Sequence, residues 1–160
     1  MATTRLYRNG RLVESDFPVA DISDHLAEKG CTVWADFVSP GPDDLAAIGE
    51  ELGLHALAVE DAVHRSQRPK LDRYDSHLFL AAYATSLDPD TGELFTTEVK
   101  AFITRHAIVT VHDADFDMSG VVAKVTRLSP PGRSSVRAAG RLPTAIWLAG
   151  IIALKSQYAL

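Results

Sequence analysis

Glu60-Asp61, followed closely by Gln67-Arg68-Pro69-Lys70, is the stretch of this 160-residue chain that decides its fold. The two carboxylates stand near the end of a predicted short helix, and the basic turn after them leads into a predicted strand. Pro69 fixes its own φ and disfavours the helical conformation at Arg68, so the helix has to end before this point. The order therefore predicts a helix, a rigid basic turn and a strand in succession.

Turn signals and hydrophobic spacing predict alternating elements around this stretch. Asn9-Gly10 suits the two central positions of a type I′ turn, so residues 4–13 are predicted to form a hairpin. Helices are predicted at residues 22–29, with Gly30 as the C′ residue, at 42–52, from Pro42 to a stop at Gly53, and at 55–64. Strands are predicted at residues 32–37, within 71–84, at 98–104 and at 107–112. This order indicates an α/β (α+β) fold, with a mixed β-sheet flanked by helices.

Three local expectations follow from the same spacing. Leu54 and Leu57 are expected to pack against the preceding helix, and His55 to cap the helix that it precedes. Arg68 and Lys70 are expected to pair with nearby acids, with the following candidates: Glu60, Asp72 and Asp75.

Charge and composition divide the chain into a body, residues 1–125, and a tail, residues 126–160. The last acidic residue is Asp117. Residues 1–117 contain ten cationic and 21 acidic side chains, and all charged side chains after Asp117 are cationic. An acidic body favours cations as partners and disfavours nucleic acid. Residues 126–141 of the tail lose periodicity, so they are predicted to be a linker or a disordered segment. The apolar run of the tail, residues 142–154, is shorter than the roughly 20 residues that span a bilayer.

Glu60 and Asp61 are the candidate metal ligands. Neighbours in a helix point about 100° apart, so the two carboxylates do not converge on one ion. Magnesium keeps most of its water and needs only one or two carboxylates, so a site shared between two subunits would satisfy it. The alternative interpretation of this dipeptide is a solvated acidic helix face.

Other motifs point away from catalysis. Asp113, Asp115 and Asp117 resemble a calcium loop, but Met118 stands where Gly is needed and Lys124 where Glu is needed. No nucleophile elbow, phosphate loop or dinucleotide fingerprint is present, so the chain is not expected to be an enzyme. The enzymatic alternative needs a metal site built from Asp61, His64 and Asp113 or Asp115, which would have to converge in one pocket.

Several motifs together resemble the cytosolic domain of the CorA family of magnesium and cobalt channels. The resemblance covers residues 33–125 and rests on these pieces in order: Trp34-Ala35-Asp36-Phe37, Gly53-Leu54-His55-Ala56-Leu57-Ala58-Val59-Glu60-Asp61, Gln67-Arg68-Pro69-Lys70, Leu78-Phe79-Leu80, Glu98-Val99, Phe102-Ile103 and Ile108-Val109-Thr110-Val111-His112. Each piece alone is common, and their order and spacing make the resemblance specific. Ala56 departs from the family, which usually has Pro at this position.

The resemblance implies a regulatory role on the cytoplasmic face of the cell membrane. In the family, the carboxylate matching Asp61 binds regulatory Mg²⁺ between identical subunits of a pentamer, and the one matching Glu60 lies near a second such site. Bound ions hold the pore closed, and Co²⁺ is the second expected ion. The Gly-Met-Asn pore signature and both membrane helices are not found in this sequence, so membrane contact is expected only through the missing pore region.

The expected function is therefore the divalent-ion-sensing domain of a CorA-like transporter, without the pore. Two alternatives stay open at this point. One is the standalone metal-dependent enzyme, and the other is a protein-interaction domain that does not sense ions.

Overall fold

A computed structural model describes residues 1–64, 66–118 and 120. The predictions for the tail, residues 126–160, and for its apolar run fall outside these residues. The described strands are β1 Ala2–Arg8, β2 Arg11–Ser15, β3 Cys31–Val38, β4 Lys70–Arg73, β5 Leu78–Leu87, β6 Leu94–Ile103 and β7 Ala107–His112. The described α-helices are α1 Ile22–Ala27, α2 Pro42–Leu52 and α3 Ala56–Val63, and a 3₁₀ turn, Val19–Asp21, precedes α1.

The strands form one seven-stranded sheet in the order β2-β1-β3-β7-β6-β5-β4. β3 and β7 run parallel, with Val33 opposite Ala107 and Phe37 opposite Val111. The remaining neighbours pair antiparallel. This mixed sheet with its helices confirms the predicted fold class.

The two faces of the sheet bury different sets of side chains, because successive residues of a strand point to opposite faces. One face packs against the helices and carries the larger core: Leu6, Phe17, Ile22, Cys31, Val33, Ala35, Phe37, Leu45, Ile48, Ala58, Ala62, Phe79, Ala81, Phe102, Ala107, Val109 and Val111. The other face buries a smaller cluster, to which two residues after β7 contribute: Trp34, Ala84, Val99, Ala101, Ile103, Ile108, Phe116 and Met118. We call these the helix face and the open face.

Local signals in the sequence located several elements correctly. Asn9 and Gly10 have φ values of 52° and 78°, as the predicted hairpin between β1 and β2 requires. The helix α2 begins at Pro42 and ends before Gly53, whose φ of 60° is left-handed. His55 caps α3, since its side chain accepts a hydrogen bond from the Leu57 amide at 3.2 Å.

The predicted end of α1 is wrong. The helix stops at Ala27, because Glu28 is already extended with ψ of 137°. Gly30 therefore is not the C′ residue. Its φ of 78° instead serves the turn into β3, where its carbonyl accepts the Asn9 amide at 3.1 Å.

The single predicted strand region at residues 71–84 divides into β4 and β5. The Tyr74 amide donates to the His77 carbonyl at 2.9 Å, which closes a turn between them. β4 is the edge strand, with Lys70 opposite Ala81. β5 and β6 continue further than predicted, since Leu87 still pairs with Leu94 next to the 88–93 turn.

Close packing of α3 on α2 depends on a glycine. A Cβ on Gly49 would lie 3.1 Å from Cγ2 of Val59, so α3 approaches α2 with no room for a side chain there. Ala58 and Ala62 are buried on the same helix. The prediction that Leu57 packs against α2 is wrong, because Val59 occupies that contact and Leu57 is 59% exposed. Leu54 does pack against the core, as expected.

None of the described helices combines the length and the apolar character that crossing a membrane requires.

The α2–α3 contact supplies a stability prediction. We expect Gly49→Val to lower the free energy of unfolding by about 1–3 kcal/mol, because the new methyl groups have to displace Val59. Urea denaturation measures this change. Ala47→Val, which adds the same branched side chain to the exposed side of α2, is the matched control. Equal stability of the two variants would mean that α3 does not need a glycine at this contact.

Candidate functional site

Glu60 and Asp61 occupy the last turn of α3, as the sequence predicted for the helix end. Glu60 is exposed and Asp61 is half-buried. His64 is already extended, and its Nδ1 lies 2.8 Å from the Glu60 carbonyl oxygen. The His64 ring therefore contacts the backbone of the helix end.

Lys70, the first residue of β4, lies between two carboxylates. Its Nζ is 2.6 Å from Oδ2 of Asp61 and 2.8 Å from Oδ2 of Asp72. The pair with Asp72 confirms one of the predicted partners, and the pair with Asp61 was not predicted. The hydrogen bonds that the Lys70 ammonium donates to Asp61 and, to a smaller extent, to Asp72 raise the pKa of Lys70. The ammonium therefore stays charged throughout the neutral pH range.

Glu98 on β6 holds the turn between α3 and β4. Its two carboxylate oxygens accept the backbone amides of Ser66 and Gln67, each at 2.9 Å. Ser66 has a φ of 62°, a conformation that a non-glycine residue adopts at some cost. The Tyr83 hydroxyl donates to the Gln67 carbonyl at 2.8 Å, so both backbone polar groups of Gln67 are held by side chains of the sheet.

Lys100, two residues further along β6, stabilises the carboxyl-terminal end of α3. Its side chain is buried, and its Nζ donates to the carbonyls of Ala62, at 3.2 Å, and of His64. Its ammonium also lies 3.5 Å from Oε2 of Glu98. A cation at this end complements the negative pole of the helix and supplies donors for carbonyls that the helix leaves unpaired.

A row of stacked rings supports the start of α3. His55 stacks on Tyr74 with 4.8 Å between centroids, and Tyr74 stacks on His77 at the same distance. Burial lowers the pKa of His77, and the nearby His55 lowers it further. Both ends of α3 are thus held by side chains from outside the helix.

The open face carries a second polar group of residues, linked by hydrogen bonds. Trp34 Nε1 donates to Thr110 Oγ1 at 3.0 Å, and Thr110 donates to Asp36. Nε2 of His112 lies 3.3 Å from Oδ1 of Asp36, and its Nδ1 lies 2.7 Å from the Asp113 carbonyl oxygen. Burial alone would lower the pKa of His112, but the hydrogen bonds to Asp36 and Asp113 outweigh it and raise that pKa.

The residues of the enzymatic alternative do not converge. Asp61 contacts Lys70 on β4, whereas Asp113 accepts a hydrogen bond from Ser39 at 3.2 Å and Asp115 one from Thr97 at 3.3 Å. Strands β5 and β6 separate β4 from β7 in the sheet. Within residues 1–64, 66–118 and 120, no three acidic, histidine or cysteine side chains are grouped so that they could hold a metal ion.

A cleft lies beside the carboxyl-terminal ends of the parallel strands β3 and β7. Its walls are Ser39, Pro40, Ala62, Glu98, Lys100, Val111, His112 and Asp113. The charged pair in it, Glu98 and Lys100, was not identified from the sequence as part of a site. The signal was present, because both alternate with the apolar Val99 and Ala101 along one strand and so had to share the opposite face.

A comparison with protein families identifies the class to which this domain belongs. The family described as CorA-like Mg²⁺ transporter protein matches residues 30–140, so the chain belongs to this family. The match confirms the resemblance drawn from the motifs. Its last part, residues 121–140, lies outside the described residues.

Two relatives carry names from metal ion transport. The chain is 38% identical over 79 residues to YfjQ of Bacillus subtilis (strain 168), a protein proposed to transport metal ions. It is 27% identical over 67 residues to the cobalt/magnesium transport protein CorA of Thermotoga maritima. The aligned segments cover 49% and 42% of this chain, but only 24% and 19% of those proteins. Both names describe metal ion transport, and neither names an enzyme.

Solved structures share the fold at low sequence identity. The full-length CmaX protein matches with a TM-score of 0.63 and 13% identity, over 98% of this chain and 46% of its own. The soluble domain of CorA from Methanocaldococcus jannaschii matches with a TM-score of 0.61 and 12% identity, over 99% of this chain and 56% of its own. The chain therefore has the fold of the soluble domain of a CorA-type transporter.

Removal of the buried ammonium should loosen the end of α3. We expect Lys100→Met to lower the free energy of unfolding by about 3 kcal/mol, because Glu98 and two carbonyls lose their partner inside the protein. Urea denaturation measures the loss. Lys29→Met, at an exposed position, should change stability by less than about 0.5 kcal/mol. Similar values for the two variants would contradict the structural role of Lys100.

The His112–Asp36 pair should make stability depend on pH. Because the folded pKa of His112 is raised above 6.5, the pair's contribution is complete below that pH and is lost as the pH rises through the folded value. Histidine ring NMR should show His112 titrating above 6.5 and His77 below it. Urea unfolding should show a larger stability difference between wild type and His112→Gln at about pH 5.5 than at about pH 8.5. A difference that does not change with pH would contradict the ion pair.

Proposed function

We propose that this chain is the divalent-ion-sensing domain of a CorA-like magnesium and cobalt transporter. Membership of the family and the fold of a transporter's soluble domain support this proposal. The name of the Thermotoga maritima relative, a cobalt/magnesium transport protein, suggests Mg²⁺ and Co²⁺ as the ions. In this proposal the domain has no catalytic activity, does not bind nucleic acid, and works on the cytoplasmic face of the cell membrane.

The placement of Asp61 and Glu60 carries the proposal. Both lie in the last turn of a helix whose two ends are held by His55 and Lys100, so the carboxylates are fixed in position while still reachable from solvent. Lys70 contacts Oδ2 of Asp61, so a hydrated Mg²⁺ that approaches this carboxylate meets an ammonium there.

A shared site follows from the helix geometry. Glu60 and Asp61 point about 100° apart, so each would serve a separate ion and each ion would need further oxygen ligands. In the proposed assembly, acids of an identical subunit supply those ligands, and the resemblance to the family suggests a pentamer.

Regulation then needs no rearrangement of the helices and strands inside the domain. Carboxylates that face each other across a subunit contact repel, and a divalent ion between them removes the repulsion and stabilises the closed assembly. When magnesium inside the cell falls, the repulsion returns and the contact weakens. The firm attachment of α3 to the sheet through Lys100 and Glu98 would transmit that change to the whole domain.

Magnesium should increase self-association of the chain through Asp61. We expect sedimentation velocity of the 160-residue protein to show larger species at millimolar Mg²⁺, and calorimetric titration to detect binding. Asp61→Asn should weaken both effects by about tenfold, because one charged ligand is lost while the shape is kept. Glu60→Gln should weaken them less, since its site is the second one.

Glu93→Gln, which removes one exposed carboxylate near the β5–β6 turn, is the matched control and should behave as the wild type. Equal binding by wild type and Asp61→Asn would remove Asp61 from the proposed site. Self-association that does not respond to magnesium would favour the interaction domain that does not sense ions.

A further inference from the structure

The ion pair of Lys70 with Asp61 concerns the same carboxylate that the proposed function assigns to the metal. Lys70 Nζ lies 2.6 Å from Asp61 Oδ2 and 2.8 Å from Asp72 Oδ2, so one ammonium serves two carboxylates. The side chains of Lys70 and Asp61 are 29% and 30% exposed. This is enough contact with solvent for a hydrated ion to reach the pair, and enough burial to weaken screening of its charges.

Lys70 belongs to a strand of the sheet, and this position holds its side chain next to Asp61. Its backbone pairs with Ala81 in β5, and its ammonium lies 5.4 Å from the ring centroid of Phe79. Pro69 restricts the residue before it, and Glu98 fixes the amide of Gln67 at 2.9 Å. Because the ammonium belongs to the same chain and is held close to Asp61, it competes for this carboxylate at a high effective concentration.

We propose that Lys70 is an internal competitor of the divalent ion at Asp61, and that it sets the ion concentration to which the domain responds. The inference rests on the proposed function, in which Asp61 is a metal ligand. A divalent cation that approaches Asp61 meets an ammonium at the same carboxylate, and the two positive charges repel at this distance. Binding therefore requires Lys70 to move away from Asp61.

Asp72 makes this displacement reversible. When the ammonium leaves Asp61 it keeps its second partner, because Asp72 already lies 2.8 Å from Nζ. Lys70 does not become an unpaired charge, and it can return to Asp61 when the ion leaves. A lysine side chain is charged at neutral pH, so a competing cation releases the carboxylate.

Neutralising Lys70 should therefore increase the affinity for magnesium. We expect Lys70→Met, whose side chain still covers Phe79, to lower the Mg²⁺ concentration at half saturation by about tenfold. Lys70→Gln, a second neutral variant, should shift it in the same direction, and Lys70→Arg should stay close to the wild type. Amide chemical shifts of residues 60–72 in the 160-residue chain, followed by NMR during MgCl₂ titration at constant ionic strength, report binding at this place.

Arg68→Met is the matched control, because Arg68 is an exposed cation in the same turn, two residues from Lys70. A general effect of net charge would lower the half-saturation concentration equally in Arg68→Met and Lys70→Met. Competition at Asp61 lowers it much more in Lys70→Met. Equal shifts in these two variants, or no shift in either neutral Lys70 variant, would overturn the inference.

The variant Asp61→Asn separates this inference from the proposed function. If Asp61→Asn weakens binding while the neutral Lys70 variants bind like the wild type, Asp61 is a ligand and Lys70 is not its competitor. If Asp61→Asn binds like the wild type, the proposed site itself is wrong, and the inference fails with it. The proposed function and this inference are both supported if Asp61→Asn binds magnesium more weakly than the wild type and Lys70→Met binds it more tightly.

Discussion

The contact between Lys100 and the end of α3 is the interaction on which the candidate site depends. A lysine in the middle of a buried strand costs desolvation energy, and it is tolerated here because the carbonyls of Ala62 and His64 and the carboxylate of Glu98 surround it. Glu98 is in turn satisfied by two backbone amides of the following turn. The end of α3, the turn after it and strand β6 are therefore linked by polar contacts. Asp61 precedes this turn and Lys70 follows it, and the two side chains meet.

These polar contacts explain why a basic turn follows the acidic helix end. The turn has to leave α3, reverse direction and enter the edge strand β4 in a few residues, with Ser66 in a left-handed conformation. Pro69 removes one backbone donor that the edge strand would otherwise expose. Lys70 is then the first residue of β4, on the helix face, and this position brings its ammonium onto Asp61.

The sequence predicted those parts of the fold whose cause is local. Asn9-Gly10 and Pro42 with Gly53 set their turn and helix ends through backbone preferences, and these appear in the structure as expected. The end of α1 and the division between β4 and β5 depend on contacts from elsewhere in the chain, and here the local signals were misleading. Leu57 is the clearest case, because its hydrophobicity suggested burial, while the small Gly49 instead admits Val59.

The candidate site, too, could be predicted from the sequence only in part. Glu60 and Asp61 stand out in the sequence as a pair of acids at a helix end, but the geometry of the fold decides which cation Asp61 meets. Lys70 was expected to pair with acids near it in the chain, and Asp72 is one of them. Asp61 became its partner because α3 packs on the helix face of the sheet and the Lys70 side chain lies on that same face, which is a property of the sheet and not of the dipeptide. The charge environment of a ligand residue therefore comes from the tertiary structure, and affinity for an ion cannot be inferred from the ligand motif without it.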